Sequence, residues 1–195
     1  MWPAPIELRG TFATLKPLAA EHLAGLVDAV RDGELWQLWY TSIPAPERMG
    51  AEIERRLGLQ ASGSMLPFTV FDAAGRIVGM TTYMNIDAVN RRVEIGSTWT
   101  AQSAQRSPLN TACKSLLLAQ AFDVLGCIAV EFRTHRLNTQ SRRAIERLGA
   151  QLDGLLRCHS RAADGTLRDT AVYSITAQEW PAVKSHLAWQ LAKPR

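Results

Sequence analysis

The chain has 195 residues, 47% hydrophobic and 21% charged, with 22 Lys and Arg against 18 Asp and Glu for a formal charge of +4. That much apolar material excludes a disordered polymer and makes one domain spanning residues 1–195 the default. No apolar run approaches the ~18–20 residues needed to cross a bilayer, and Met1-Trp2-Pro3-Ala4-Pro5-Ile6-Glu7 lacks the basic and apolar regions of a signal peptide.

In chain order, Thr11 to Leu15 reads as a strand stopped by Lys16-Pro17. A helix follows with Leu23, Leu26, Val27 and Val30 on one apolar stripe. The aromatic segment Leu35 to Tyr40 runs into Ile43-Pro44-Ala45-Pro46, an irregular loop. A second helix starts near Pro46, with Glu47 in its first turn and Met49, Ile53 and Leu57 along one side. Phe68 to Phe71, the turn Asp72 to Gly75 and Arg76 to Tyr83 form a β-hairpin, and Arg92 to Trp99 is a further strand.

A long helix from about Asn110 to Leu125 carries Cys113, Leu116, Leu117, Gln120, Ala121 and Val124 on one face, with Gly126 as its terminating glycine. Ile128 to Thr134 is a strand with Val130 and Phe132 opposite Glu131 and Arg133. Thr139 to Leu148 is a helix stopped by Gly149, two strands (Gln151–His159 and Asp169–Ile175) flank the Asp164-Gly165 turn, and Glu179 to Leu191 closes the chain as a helix. The order β-α-α-β-β-β-α-β-α-β-β-α predicts an α+β fold: a mixed, mostly antiparallel sheet of about seven strands flanked by helices, with a core over about 8–176.

Cys113, Cys127 and Cys158 are odd in number and widely spaced, which gives neither a zinc pattern nor a redox pair. A reduced, cytoplasmic protein without a metal is the expectation. The mild positive charge suits a phosphate-rich small molecule as well as nucleic acid, and only an arginine cluster (Arg133, Arg136, Arg142, Arg143, Arg147) speaks for the latter.

The informative stretch runs from Glu94 to Asn110, where a strand ends and a helix begins. A helix N-terminus offers unpaired N–H groups and the positive end of the helix dipole to a phosphate. On the order of its elements and on Gln105-Arg106-Ser107-Pro108-Leu109-Asn110, followed by Thr111 and Lys114, the chain resembles the GNAT acetyltransferases, in particular their RimJ/RimL-type branch. Asn138-Thr139-Gln140-Ser141, then Leu148-Gly149-Ala150, resembles a second family signature, and Arg168 to Ser174 resembles the branch's ending. The resemblance covers about Leu8 to Ile175.

It implies a fold whose fourth and fifth strands splay around acetyl-coenzyme A, and transfer of an acetyl group to a primary amine by direct attack in a ternary complex. The acceptor would be a peptide or protein N-terminus, or a small-molecule amine such as an amino acid or antibiotic. It places the coenzyme on Thr98, Trp99 and Thr100, on Gln105, Arg106, Ser107, Leu109, Asn110 and Thr111, and on Asn138, Ser141 and Arg142, with Arg143 the alternative to Arg142 for a coenzyme phosphate. Pro108 and Asn110 depart from the family's small residues, and Pro108 has no N–H to donate.

Glu94 is the candidate base, against an ion pair with Arg91 or Arg92. The family's tyrosine acid is replaced by Ile145, which leaves Ser141 as a candidate acid, a cofactor ligand or a helix cap. Trp36, Tyr40 and His135 are candidate acceptor-side residues, with core packing the rival for Trp36 and Trp39 and simple solvation the rival for His135. His22, His159 and His186 read as surface residues, and Cys113 as packing. Pro108 and Ile145 sustain an alternative, a coenzyme-binding module without efficient turnover. The C-terminal helix, with Trp180 and Trp189, packs either in cis or against a second chain as a homodimer.

Overall fold

The computed structural model describes residues 2–162 and 164–193. One mixed eight-stranded sheet carries five α-helices. In chain order these are β1 (Leu8–Arg9), β2 (Ala13–Pro17), α1 (Leu23–Arg31), α2 (Met49–Ala61), β3 (Met65–Asp72), β4 (Ile77–Asp87) and β5 (Arg92–Thr100). They continue with α3 (Leu109–Ala119), β6 (Ala129–His135), α4 (Thr139–Glu146), β7 (Gln151–Arg161), β8 (Leu167–Thr176) and α5 (Trp180–Ala192).

The sheet order is β1-β2-β3-β4-β5-β6-β8-β7. The strand beyond the seven expected is β1, whose two residues are too short to leave an alternating pattern. The strands read as fourth and fifth are therefore β5 and β6. They form the sheet's parallel pair, and their register ends after Arg92↔Ala129, Val93↔Val130 and Glu94↔Glu131. All other neighbours are antiparallel.

Strand alternation sorts side chains to two faces. Tyr83, Val93 and Ile95 enter a core with Leu117 and Leu118 of α3 and Leu187 of α5. Met80 and Trp99 enter a second core with Leu26 and Val30 of α1 and Met49 and Ile53 of α2. Burying a leucine this completely contributes about 1.5–3 kcal/mol, so each helix is held to its face chiefly by such residues. Trp180 packs within its own chain: it stacks on Phe122, and its Nε1 donates to Asp123 Oδ1 at 2.7 Å.

Several details differ from the sequence reading. β2 runs through Lys16-Pro17, and Leu23 of α1 lies 40% exposed. The long helix ends its α-geometry at Ala119 and continues as a π-turn over Gln120–Val124. That wider turn shifts the phase of the stripe, so Val124, read as inward-facing, is 68% exposed. Gly126 and Gly149 both take left-handed conformations (φ +64° and +100°), as terminating glycines do. Among the described residues no helix is long and apolar enough to cross a membrane.

Candidate active site

Beyond Glu94 the edge of β5 that faces β6 has no strand partner. There the strand also bulges: Ser97 takes φ +47°, and the register with β4 shifts between Met80 and Thr82. The parting strands open a cleft of about 1160 Å³, bordered by β5, β6, the loop before α3, α4 and the segment after α1. Arg56, Arg106, Lys114, Arg133, Arg143, Arg147 and Arg168 all line it, against a single carboxylate among the described residues, that of Glu94. Such a surface attracts a polyanion.

One end is the start of α3. Ser107 Oγ donates to the Ala104 carbonyl at 2.6 Å and accepts from Leu109 N at 3.2 Å, and Gln105 Nε2 donates to the Thr100 carbonyl at 3.0 Å. The left-handed residue of this loop is Arg106 (φ +57°), whereas Pro108 sits at φ −60°, ψ −20°, where its ring is preorganised for a helix start. Pro108 therefore strains nothing. The amides of Asn110 and Thr111 make no hydrogen bond among the described residues. They stand at the helix N-terminus, the place where backbone N–H groups take phosphates.

On the opposite wall Asn138 caps α4: its Oδ1 accepts from Ser141 N at 2.9 Å. The cap is Asn138, so capping is not the task of the Ser141 side chain. Ser141 lines the cleft, and its hydroxyl has no partner among the described residues. Arg142 is turned away from the cleft, with Nε donating to Tyr173 Oη at 2.7 Å. Its neighbours Arg143 and Arg147 face inward instead. Leu109 and Thr111 are buried outside the cleft lining, and Thr111 Oγ1 accepts from Arg147 Nη2 at 3.4 Å.

At the other end Glu94 is buried. Asn85 Nδ2 donates to its Oε2 at 2.6 Å, and Arg133 Nε lies 3.7 Å away. The partner is thus Arg133 rather than Arg91 or Arg92; Arg92 pairs with Glu131. Burial raises the Glu94 pKa, and the Asn85 bond and Arg133 only partly oppose this. His135 is buried rather than solvated. Its Nδ1 accepts from Leu137 N at 3.0 Å, its ring meets Trp39 edge-on, and burial lowers its pKa with help from Arg168 and Arg136.

Tyr40 lines the cleft as expected. Trp36 does not: it packs on the second core and borders a separate shallow depression. Trp39, for which packing was the rival, is 59% exposed. Of the histidines read as surface residues, His22 is half-buried, with Nδ1 2.8 Å from Thr69 Oγ1. Burial pushes the Cys113 thiol up to about 12, which fits packing rather than reactivity.

Among the cleft residues that the sequence reading did not name as site groups are two buried cations, Arg56 and Lys114. Arg56 sits in a helix of mixed charges, and Lys114 lies inside an apolar stripe. Lys114 Nζ donates to Thr98 Oγ1 at 2.7 Å and Thr81 Oγ1 at 3.2 Å, and burial brings its pKa down to about 8. A charge within a helix's inward face was the available signal for both.

A family model described as "Acetyltransferase (GNAT) domain" matches residues 13–151. A protein of Bacillus subtilis (strain 168), "Putative ribosomal N-acetyltransferase YdaF", is 32% identical over 110 residues; the match covers 56% of this chain and 59% of that relative's length. A GCN5-related N-acetyltransferase from Brucella melitensis is 32% identical, with a TM-score of 0.87 over 97% of this chain and 87% of its own. Mycobacterium smegmatis RimJ, solved in complex with CoA-disulfide, is 25% identical, with a TM-score of 0.79 over 97% of this chain and 95% of its own.

Proposed function

Because the chain belongs to the GNAT acetyltransferase family, we propose that it moves an acetyl group from acetyl-CoA to a primary amine, by direct attack within a ternary complex. The acceptor is a peptide or protein N-terminus or a small-molecule amine, and the whole chain works as a single acetyltransferase domain in the cytoplasm. The observation that carries this reading is one continuous cleft. It joins the free amide of Asn110 and the arginines around the start of α3 to the buried carboxylate of Glu94, along the unpaired edge of β5.

The residues present fit the coenzyme. Asn110 offers an unpartnered amide, Arg106, Arg143 and Arg147 offer charge, and the bulged edge of β5 offers backbone groups from Gly96 to Thr100. Asn138, whose Oδ1 is committed to its helix, would offer its Nδ2 to the pantetheine arm, and Ser141 would contribute its hydroxyl there. Bound in this way, acetyl-CoA would supply a thioester carbonyl open to attack by nitrogen.

Glu94 takes the proton from the attacking amine. Burial raises its pKa above the ordinary carboxylate range, in the direction that makes a stronger base. Solvent returns a proton to sulfur, because Ile145 stands where a tyrosine acid would. The reading is tested by mass spectrometry with acetyl-CoA and a panel of peptides, amino acids and aminated antibiotics. A product heavier by one acetyl group supports it and names the acceptor class. Folded protein that binds acetyl-CoA and modifies nothing on the panel returns the coenzyme-binding module as the better account.

A further inference from the structure

The acceptor end of the cleft holds a cation that the proposed transfer does not use. Arg56 of α2 is 3% exposed, yet it lines the cleft. Its Nε donates to Glu52 Oε1 and its Nη1 to Thr82 Oγ1, each at 2.7 Å. Its Nη2 has no hydrogen-bond partner among the described residues. Glu52 does not cancel the charge, because Arg55 grips the same carboxylate with two bonds of 2.7 and 2.8 Å. Two guanidinium groups thus share one anion, and one positive charge is left over. A guanidinium held rigidly by two of its nitrogens, with the third free, is preorganised to receive a carboxylate oxygen.

The position of Arg56 relative to Glu94 follows from the sheet. Thr82 stands opposite Gly96 in the β4–β5 register. The Glu94 carboxylate folds against that same glycine, with Oε1 2.8 Å from where a Cβ would sit. Arg56, Thr82, Gly96 and Glu94 therefore form one contiguous patch with a cation at one side and an anion at the other. Tyr40, Thr41 and Ser42 line the same end of the cleft.

We propose that Arg56 selects the acceptor: the favoured amine carries a carboxylate a few bonds from its nitrogen, the nitrogen lying toward Glu94 and the carboxylate toward Arg56 Nη2. This rests on the acetyl-transfer reading of the cleft. The carboxylate has two sources, the α-carboxylate of a free amino acid or the side chain of an N-terminal Asp or Glu in a peptide.

The test offers acetyl-CoA with matched pairs: α-amino acids against their α-amides, and peptides beginning with Asp or Glu against those beginning with Asn or Gln. For at least one pair the acid should be preferred in kcat/KM by about tenfold or more. Arg56→Met should bring that ratio close to one while the acetyl-CoA Kd, read by calorimetry, stays unchanged. Arg55 still holds Glu52 in that variant, so no carboxylate is orphaned. Arg56→Lys, which keeps the charge, should retain part of the preference, and Arg55→Met, which leaves Glu52 to Arg56 alone, should lower it without abolishing it. The pair that responds identifies the source.

Equal use of acids and neutral partners, a preference surviving Arg56→Met, or transfer to none of the pairs by enzyme that binds acetyl-CoA each overturns the inference and leaves the family reading standing. Absence of acetyl-CoA binding overturns both.

Discussion

At the phosphate end of the cleft, the groups that face a ligand come mainly from one short stretch, the loop and first turn leading into α3, with α4 opposite. At the acceptor end they come from the segment after α1, one arginine of α2, the ends of β4 and β5 and the end of β6. The first end depends on backbone conformation set by neighbours in sequence. The second depends on side chains brought together only when the sheet is complete. At the first end Pro108 and Asn110 stand in place of small residues without straining the loop, whose left-handed residue is Arg106. A surface made of side chains from distant segments changes with each substitution.

This contrast predicts that the two ends fail separately. The largest effect belongs to the acceptor end: Glu94→Gln should lower turnover about 10²–10⁴-fold with acetyl-CoA affinity nearly unchanged. Near-normal turnover across roughly pH 6–9 would remove Glu94 from the role of base.

Lys114 lies between the two ends, and its effect is on stability. With its folded pKa near 8, below the 10.5 of the unfolded chain, the folded state binds fewer protons between those values, so stability rises with pH there. Relative to Lys114→Met, wild type should gain about 2 kcal/mol between roughly pH 7 and 9.5 in urea unfolding. In the variant Thr81 and Thr98 still bond each other at 2.8 Å, so parallel curves would mean that the ammonium is not buried as described.

Next in size, Arg143→Met should weaken acetyl-CoA binding about tenfold while Arg142→Met leaves it unchanged, since only Arg143 faces the cleft. Equal losses would break the assignment. Smallest is Asn138→Ala, which should cost about 1 kcal/mol as a lost cap and also weaken acetyl-CoA binding. Asn138→Asp should restore the cap without restoring binding, and binding that survives both changes would sink the pantetheine role.

The same contrast explains what the sequence disclosed. Periodicity and punctuation placed every helix and all strands but β1, and the α3 loop and the Asn138 cap were legible because both are local. Glu94 was legible through strand alternation, which set it apart from Val93 and Ile95. Its partners were not, since Asn85 and Arg133 reach it across two neighbouring strands. Which of Arg142 and Arg143 faces the cleft was not legible, because a helix pattern does not say which of two adjacent arginines Tyr173 will hold. Trp36 and Trp39 were assigned without a period to guide them, as the segment lies outside regular α-helix and strand.

The brevity of the β5–β6 junction has a consequence for how the protein is made. Three residue pairs join the first five strands to the rest, and the other neighbour of β6 is β8, which is among the last elements of the chain. On a ribosome, β1 to β5 can pair as they emerge, but β6 gains its full set of rungs only once β8 has been synthesised. The cleft is thus completed late in translation: a chain stalled before Leu167 would carry the α3 loop and α4, with β6 held to β5 by those three pairs alone.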